Sequence, residues 1–69
     1  MSILKINGIE KDFADSLPAT LRELLDQMKI QSATVVAEID GTIIPRDKFS
    51  ETKIKAGQAI ELIKFMGGG

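Results

Sequence analysis

The chain has 69 residues and a formal net charge of −1, from nine Lys and Arg against ten Asp and Glu. This length suits one domain with a thin core. The scattered charges do not form the basic face of a nucleic-acid-binding protein, and no apolar run is long enough to span a membrane. Cysteine and histidine are absent, which excludes disulfides, a thiolate nucleophile, a Cys/His zinc site and the usual general base. We therefore expect a cytoplasmic protein that is not an enzyme and binds no cofactor, nucleic acid or membrane.

The first predicted element is a β-hairpin. Leu4 and Ile6 lie on one face of an apolar-rich segment, and a second alternating run covers residues 9–13. Asn7-Gly8 lies between them, and these two residue types tolerate the positive φ values of a two-residue type I′ turn. We expect two antiparallel strands joined at this turn.

An α-helix is predicted next, from four apolar residues that recur at positions i, i+3, i+4 and i+7. They are Leu21, Leu24, Leu25 and Met28. The helix should span about residues 21–29 and direct these side chains into the core. Thr20 and Glu23 have the spacing of a capping box, in which each side chain binds an otherwise unpaired backbone N–H.

A second hairpin follows the helix. Residues 34–39 alternate, Asp40-Gly41 supplies the turn, and residues 42–44 form a strand that stops at Pro45. Residues 47–52 are predicted to be irregular and residues 53–54 to form a short edge strand. A turn at residues 56–58 then leads into the last strand, residues 59–65.

This order predicts an α+β fold with the ubiquitin-like β-grasp topology, in which one mixed sheet packs on one main helix. The helical connection permits the last strand to lie parallel beside the first. We expect a β-grasp domain over residues 1–66 and a flexible C-terminal Gly-Gly tail over residues 67–69.

The last strand predicts an exposed patch. If Ile60 and Leu62 face the helix, the two-residue period of a strand places Ile63 and Phe65 on the opposite face, which has no second helix to cover it. Together with Met66 they would form a docking patch for partner proteins beside the tail. A bulge that turns Phe65 inward is the alternative.

Three segments carry a resemblance to a known family. They are Thr20-Leu21-Arg22-Glu23-Leu24-Leu25, Ile44-Pro45-Arg46 and the run of residues 57–69 that ends in Gly67-Gly68-Gly69. In these, and nearly end to end, the chain resembles the ThiS-type sulfur carrier proteins of thiamine biosynthesis. Arg46 matches the family's Pro-Arg pattern, although a solvated arginine at the end of a strand is the expectation from its residue type.

The resemblance implies a cycle that is centred on the C-terminal carboxylate. A ThiF-like adenylyltransferase would use ATP to adenylylate Gly69. Sulfur from a cysteine desulfurase system would then displace AMP and leave a thiocarboxylate, the sulfur donor for a ThiG-like thiazole synthase. Gly67 and Gly68 would be recognised by the activating enzyme, because residues without side chains allow a close backbone approach.

Other functions share this fold and tail. The small subunit of molybdopterin synthase is similar in both, although this chain is shorter than is usual there and has Met66 where that tail typically carries prolines. A ubiquitin-like modifier would pass its activated Gly69 to a lysine. A plain β-grasp interaction module would leave the tail unused, since terminal glycines alone are also common in idle chain ends.

Overall fold

One mixed five-stranded sheet and one α-helix form the fold in the computed structural model, which describes residues 2–14 and 16–64. In chain order the strands and the helix are β1 (Ile3–Ile6), β2 (Ile9–Asp12), α1 (Leu21–Gln27), β3 (Val35–Ile39), β4 (Thr42–Ile44) and β5 (Ala59–Lys64). Short 3-10 segments occupy Ser32–Thr34 and Arg46–Lys48. The boundary proposed between residues 66 and 67 lies outside the described residues.

The strand order β2-β1-β5-β3-β4 confirms the predicted β-grasp topology. β1 and β5 are parallel, whereas β1 with β2, β3 with β4 and β3 with β5 are antiparallel. The last strand therefore occupies the centre of the sheet, between the two hairpins. Because β5 leads to residues 65–69, the most internal strand of the sheet is also the one that precedes the predicted tail.

Both predicted hairpin turns are present. Asn7 and Gly8 have φ values of 52° and 82°, and Asp40 and Gly41 have φ values of 49° and 85°. Positive φ at both central residues is the requirement of a type I′ turn, whose twist matches that of the flanking strands. In each turn the side chain of the first residue is long enough to reach a neighbouring strand.

The start of α1 is closed by the segment that follows β4. The Leu21 N–H donates to Thr52 O at 2.9 Å and the Arg22 N–H to Phe49 O at 3.1 Å. The Glu23 N–H donates to Thr20 Oγ1 at 3.2 Å, which is one half of the predicted capping box. These bonds satisfy N–H groups that have no partner within a helix.

The helix ends at Gln27, two residues before the predicted end at residue 29. Lys29 adopts a left-handed φ of 59°. Its N–H donates to Asp26 O at 3.1 Å, and the N–H of Ile30 donates to Leu25 O at 2.9 Å. This is a Schellman ending, a motif that usually has glycine at the left-handed position. Because residue 29 is lysine rather than glycine, the sequence contained no signal that the helix ends here.

The core lies between α1 and one face of the sheet. Its buried residues are Leu4, Ile6, Leu21, Leu24, Leu25, Val35, Ala37, Ile39, Phe49, Ile54, Ile60 and Leu62. Phe49 and Ile54 come from the stretch predicted to be irregular or an edge strand. The edge strand was wrong: Lys53 forms a single isolated bridge with Thr20, because this stretch runs beside the helix start and turns Ile54 into the core.

The parallel ladder between β1 and β5 is extended by a side chain. The Lys5 N–H donates to Gln58 O at 3.0 Å and the Asn7 N–H donates to Ile60 O at 2.9 Å. At the next step along β5, the Asn7 side chain replaces the backbone: Oδ1 accepts from the Leu62 N–H at 2.7 Å and Nδ2 donates to Leu62 O at 3.2 Å. The amide of Asn7 thus holds β5 beyond the point where β1 has turned away.

The second turn holds the other side of β5. The Asp40 N–H donates to Ala59 O at 2.8 Å, and Asp40 Oδ1 accepts from the Ala59 N–H at 2.9 Å. The first residue of each hairpin turn therefore fixes the central strand through its side chain. In both turns the residue's own N–H also donates to β5, and its side-chain oxygen accepts a further bond from that strand. Asn and Asp tolerate the left-handed backbone that these positions require.

Replacing Asn7 with Gly should destabilise the domain although glycine suits the left-handed backbone. The change leaves both polar groups of Leu62 without their side-chain partners, a loss that costs about 1–3 kcal/mol when the groups are shielded from water. Urea unfolding should show this loss, and the Leu62 amide should exchange faster with solvent.

Asp40→Gly is the matched control, because it keeps a left-handed turn and removes a single exposed hydrogen bond. It should cost less than Asn7→Gly. Equal stability of Asn7→Gly and the unchanged protein, with an unchanged Leu62 exchange rate, would show that the Asn7 side chain does not hold β5.

Candidate functional site

The predicted site residues all lie at or beyond the end of β5. Ile63 is within the strand, whereas Phe65, Met66, Gly67, Gly68 and Gly69 lie outside the described residues. Lys64, the last described residue, is paired with Val35 of β3. The described structure therefore fixes the chain up to five residues before Gly69 and places Ile63 beside the point where that segment begins.

Ile63 is exposed, as predicted. Ile60 and Leu62 are buried against the helix, whereas the Ile63 side chain on the opposite face keeps 51% of its surface accessible. Its cross-strand partner is the half-buried Val36 of β3. We call the sheet face opposite the helix the open face, since no helix within residues 2–14 and 16–64 packs on it. Val36 and Ile63 form a cross-strand apolar pair on this face.

Two carboxylates lie next to this pair on the same face. Glu38 of β3 is directly opposite Glu61 of β5. Each is two residues along its strand from Val36 or Ile63, so the two pairs are neighbours on this face. On its other side Glu38 is paired with Ile43 of β4, whose side chain is 64% exposed. The open face therefore carries apolar and acidic side chains in adjacent rows across three strands.

Three of these residues, Val36, Glu38 and Ile43, were missed from the sequence. Glu61 and Ile63 follow from the alternation within β5, but nothing in the sequence placed Val36 or Glu38 beside them. The register of β3 against β5 joins residues about 25 positions apart and depends on where each strand begins. Such a register is set by the whole packed sheet rather than by local pattern.

The helix side of the molecule carries a different set of charges. Two shallow clefts share Arg22, Ser32 and Arg46 as lining residues. Arg46 is exposed at the start of its 3-10 segment, as expected for a solvated arginine. Arg22 contacts Asp26 through an exposed ion pair of 3.5 Å, a type that contributes little to stability.

Metal chemistry finds no support in the described part of the chain. No group of three or more His, Cys, Asp or Glu side chains within residues 2–14 and 16–64 is arranged to hold a metal ion. Within the same residues, no helix is both long and apolar enough to cross a membrane.

Solved structures match the fold closely. The crystal structure of a thiamine biosynthesis protein (ThiS) from Geobacter metallireducens aligns with a TM-score of 0.80 and 35% sequence identity, over 97% of this chain and 99% of that one. An NMR solution structure of a thiamine biosynthesis protein from the same organism also aligns with a TM-score of 0.80, at 34% identity, over 100% of this chain and 88% of that one.

Sequence relatives point the same way. A thiazole synthase of Paramagnetospirillum magneticum is 32% identical over 66 residues, which cover 96% of this chain and 20% of that protein. The chain thus spans about a fifth of the length of that relative. The Porphyra purpurea protein ycf40 is 33% identical over 66 residues, covering 96% of this chain and 90% of that protein.

The family comparison agrees with the fold and with these relatives. The model of the ThiS family matches residues 4–69. This span includes β1 from its second residue, the other four strands, the helix and the terminal glycines. The resemblance inferred from the three sequence segments is confirmed: the chain belongs to the ThiS family.

Proposed function

We propose that this chain is a sulfur carrier of thiamine biosynthesis and holds sulfur as a thiocarboxylate on Gly69. The observation that carries the proposal is the family match, which extends through Gly67, Gly68 and Gly69. The fold supports it, because the central strand β5 leads directly towards these residues. The family match also favours the thiamine pathway over the molybdopterin alternative.

The proposed chemistry takes place on the carboxylate and is catalysed by partners. The Gly69 carboxylate attacks the α-phosphorus of ATP on a ThiF-like adenylyltransferase, and pyrophosphate leaves. The terminal sulfur of a persulfide, supplied by a cysteine desulfurase system, then attacks the acyl carbon and AMP leaves. A thiol that cleaves the resulting S–S bond frees the thiocarboxylate. The chain supplies the electrophilic carbon and no catalytic group.

The composition suits this role. Without cysteine the chain cannot hold sulfur as a persulfide of its own, and the proposed attachment point is the carboxyl of Gly69. A carboxylate is a poor electrophile, and conversion to an acyl-adenylate provides AMP as a leaving group. We infer that activation and transfer both occur in partner active sites, with Gly67 and Gly68 threading through them.

The proposed acceptor is a ThiG-like thiazole synthase. Its support is the relative from Paramagnetospirillum magneticum, in which a segment similar to this chain forms about a fifth of a protein named thiazole synthase. A carrier-like segment and a thiazole synthase within one polypeptide would work together at high effective concentration. Separate chains with the same relationship would need a docking surface, and the open face beside Ile63 is placed to provide one.

The first test is the mass of the C-terminal peptide. Incubation with the adenylyltransferase, ATP and the sulfur-delivery system should replace one oxygen by sulfur on the peptide that contains Gly69. The change should disappear when the thioacid is hydrolysed. An isopeptide adduct with lysine would support a modifier instead, and an unchanged peptide in a validated system would contradict the proposal.

Deletion of Gly68 and Gly69 should separate folding from function. The core residues of the described chain all lie between Leu4 and Leu62, so the deletion removes none of them. Thermal unfolding should therefore be nearly unchanged, whereas adenylylation and sulfur loading should be lost. A truncated chain that still gains sulfur would place the attachment point elsewhere.

Ile63→Asp should impair partner docking more than folding. Ile63 is half exposed, so its replacement should cost less than the ~2–5 kcal/mol typical of truncating a buried large apolar residue. Affinity for the adenylyltransferase should fall on the order of tenfold or more, because interface anchors commonly contribute at least ~2 kcal/mol. Urea unfolding and a binding titration measure the two effects.

Two controls frame this test. Ile9→Asp makes the same change at an exposed isoleucine of edge strand β2 and should leave binding intact. Leu24→Ala removes a fully buried side chain and should reduce loading only by unfolding the domain. If Ile63→Asp unfolds the protein as Leu24→Ala does, Ile63 belongs to the core.

A further inference from the structure

The open face is acidic. Strand alternation and register place four carboxylates on it against one ammonium group. The carboxylates belong to Glu10, Asp12, Glu38 and Glu61, and the ammonium group to Lys5. Lys5 is paired with Glu10 on β2 and with Ala59 on β5. Among the strand residues that the structure describes on this face, the cation therefore lies directly opposite Glu10 and not opposite Glu38 or Glu61.

Glu38 and Glu61 form a like-charge pair in the middle of the sheet. They are directly opposite each other, a position in which Cβ atoms lie about 4.5–5.5 Å apart and like charges are unfavourable. The ion pairs found among residues 2–14 and 16–64 join Arg22 to Asp26 and Lys48 to Glu51, away from this face. Within the described chain, no cation lies within 4.0 Å of either carboxylate.

The surroundings of the pair define the chemistry of what would cover it. Val36 and Ile63 form the adjacent row on the side towards the predicted tail, and the exposed Ile43 flanks Glu38. A covering surface would therefore contact apolar side chains and two unneutralised carboxylates at once. A guanidinium group can donate to two carboxylates in a fixed planar geometry.

We propose that the adenylyltransferase docks on the open face with a basic side chain, arginine by preference, between Glu38 and Glu61, and with apolar side chains over Val36 and Ile63. This inference rests on the proposed function, which requires such a partner. Binding would relieve a repulsion that the free protein retains. A second copy of this chain is disfavoured, because a two-fold contact through this face would bring the same carboxylates together.

Charge reversal at Glu61 tests the surface. Glu61→Lys should weaken binding of the ThiF-like adenylyltransferase on the order of tenfold or more, and the loss should be larger at low salt than at high salt. Glu38→Gln with Glu61→Gln should weaken binding less. It should also leave the urea midpoint unchanged or raised, because it removes the repulsion. This neutral double variant keeps the test valid if Glu61→Lys fails to fold.

Glu51→Lys is the matched control, since it changes the net charge equally at an exposed residue paired with Lys48 off the sheet. Its affinity should remain within about twofold of the unchanged chain. Equal weakening by Glu51→Lys would overturn the inference in favour of a net-charge effect. Unchanged affinity of the Glu61 variants, with normal sulfur loading of the unchanged chain, would overturn the docking surface alone. An unchanged chain that neither binds nor loads would overturn the proposed function and this inference together.

Discussion

The position of β5 in the centre of the sheet is the constraint on which the rest of the structure depends. This strand is parallel to β1 on one side and antiparallel to β3 on the other, so it joins two hairpins that have no other shared ladder. Asn7 and Asp40 fix its two sides through their side chains. The same strand supplies Ile60 and Leu62 to the core and Glu61 and Ile63 to the open face.

The two faces of the sheet meet opposite requirements. On the helix side the strands bury aliphatic side chains, which provide most of the folding free energy. On the open side, Glu38 and Glu61 place two like charges directly opposite each other, an arrangement that is unfavourable for a cross-strand pair. A domain with a stability of about 5–15 kcal/mol tolerates such an arrangement. The residues of the open face therefore need not be those that stabilise the fold best.

Local signals in the sequence were sufficient for most of the fold. The Asn7-Gly8 and Asp40-Gly41 turns, the period of the helix and the alternation in β5 each predicted an element that the structure contains. Signals failed where the structure depends on long-range contacts. Phe49 has no periodic neighbours to mark it as core, and it is buried because the loop after β4 closes the start of α1. Lys29 adopts a left-handed backbone at the end of the helix, a position where glycine is usual and would have marked the helix end in the sequence.

The candidate site divides in the same way. Alternation within a single strand predicted that Ile63 is exposed, because burial of Ile60 and Leu62 decides the direction of every residue in β5. The identity of its neighbours required the register between β3 and β5, which no local pattern contains. Phe65, Met66 and the three glycines lie outside the described residues, so their roles rest on the family match.

A carrier of the proposed kind must bind one enzyme, release it and bind another, and this requirement limits how its surface can be built. A broad apolar face would bind tightly but dissociate slowly, since differences in affinity arise mostly in the dissociation rate. The open face instead places the apolar side chains of Val36, Ile43 and Ile63 beside the carboxylates of Glu38 and Glu61. Charge complementarity mainly accelerates encounter and selects the partner, while adding less to the lifetime of the complex. A surface of this composition can therefore be specific and still release its partner once the chemistry at Gly69 is complete.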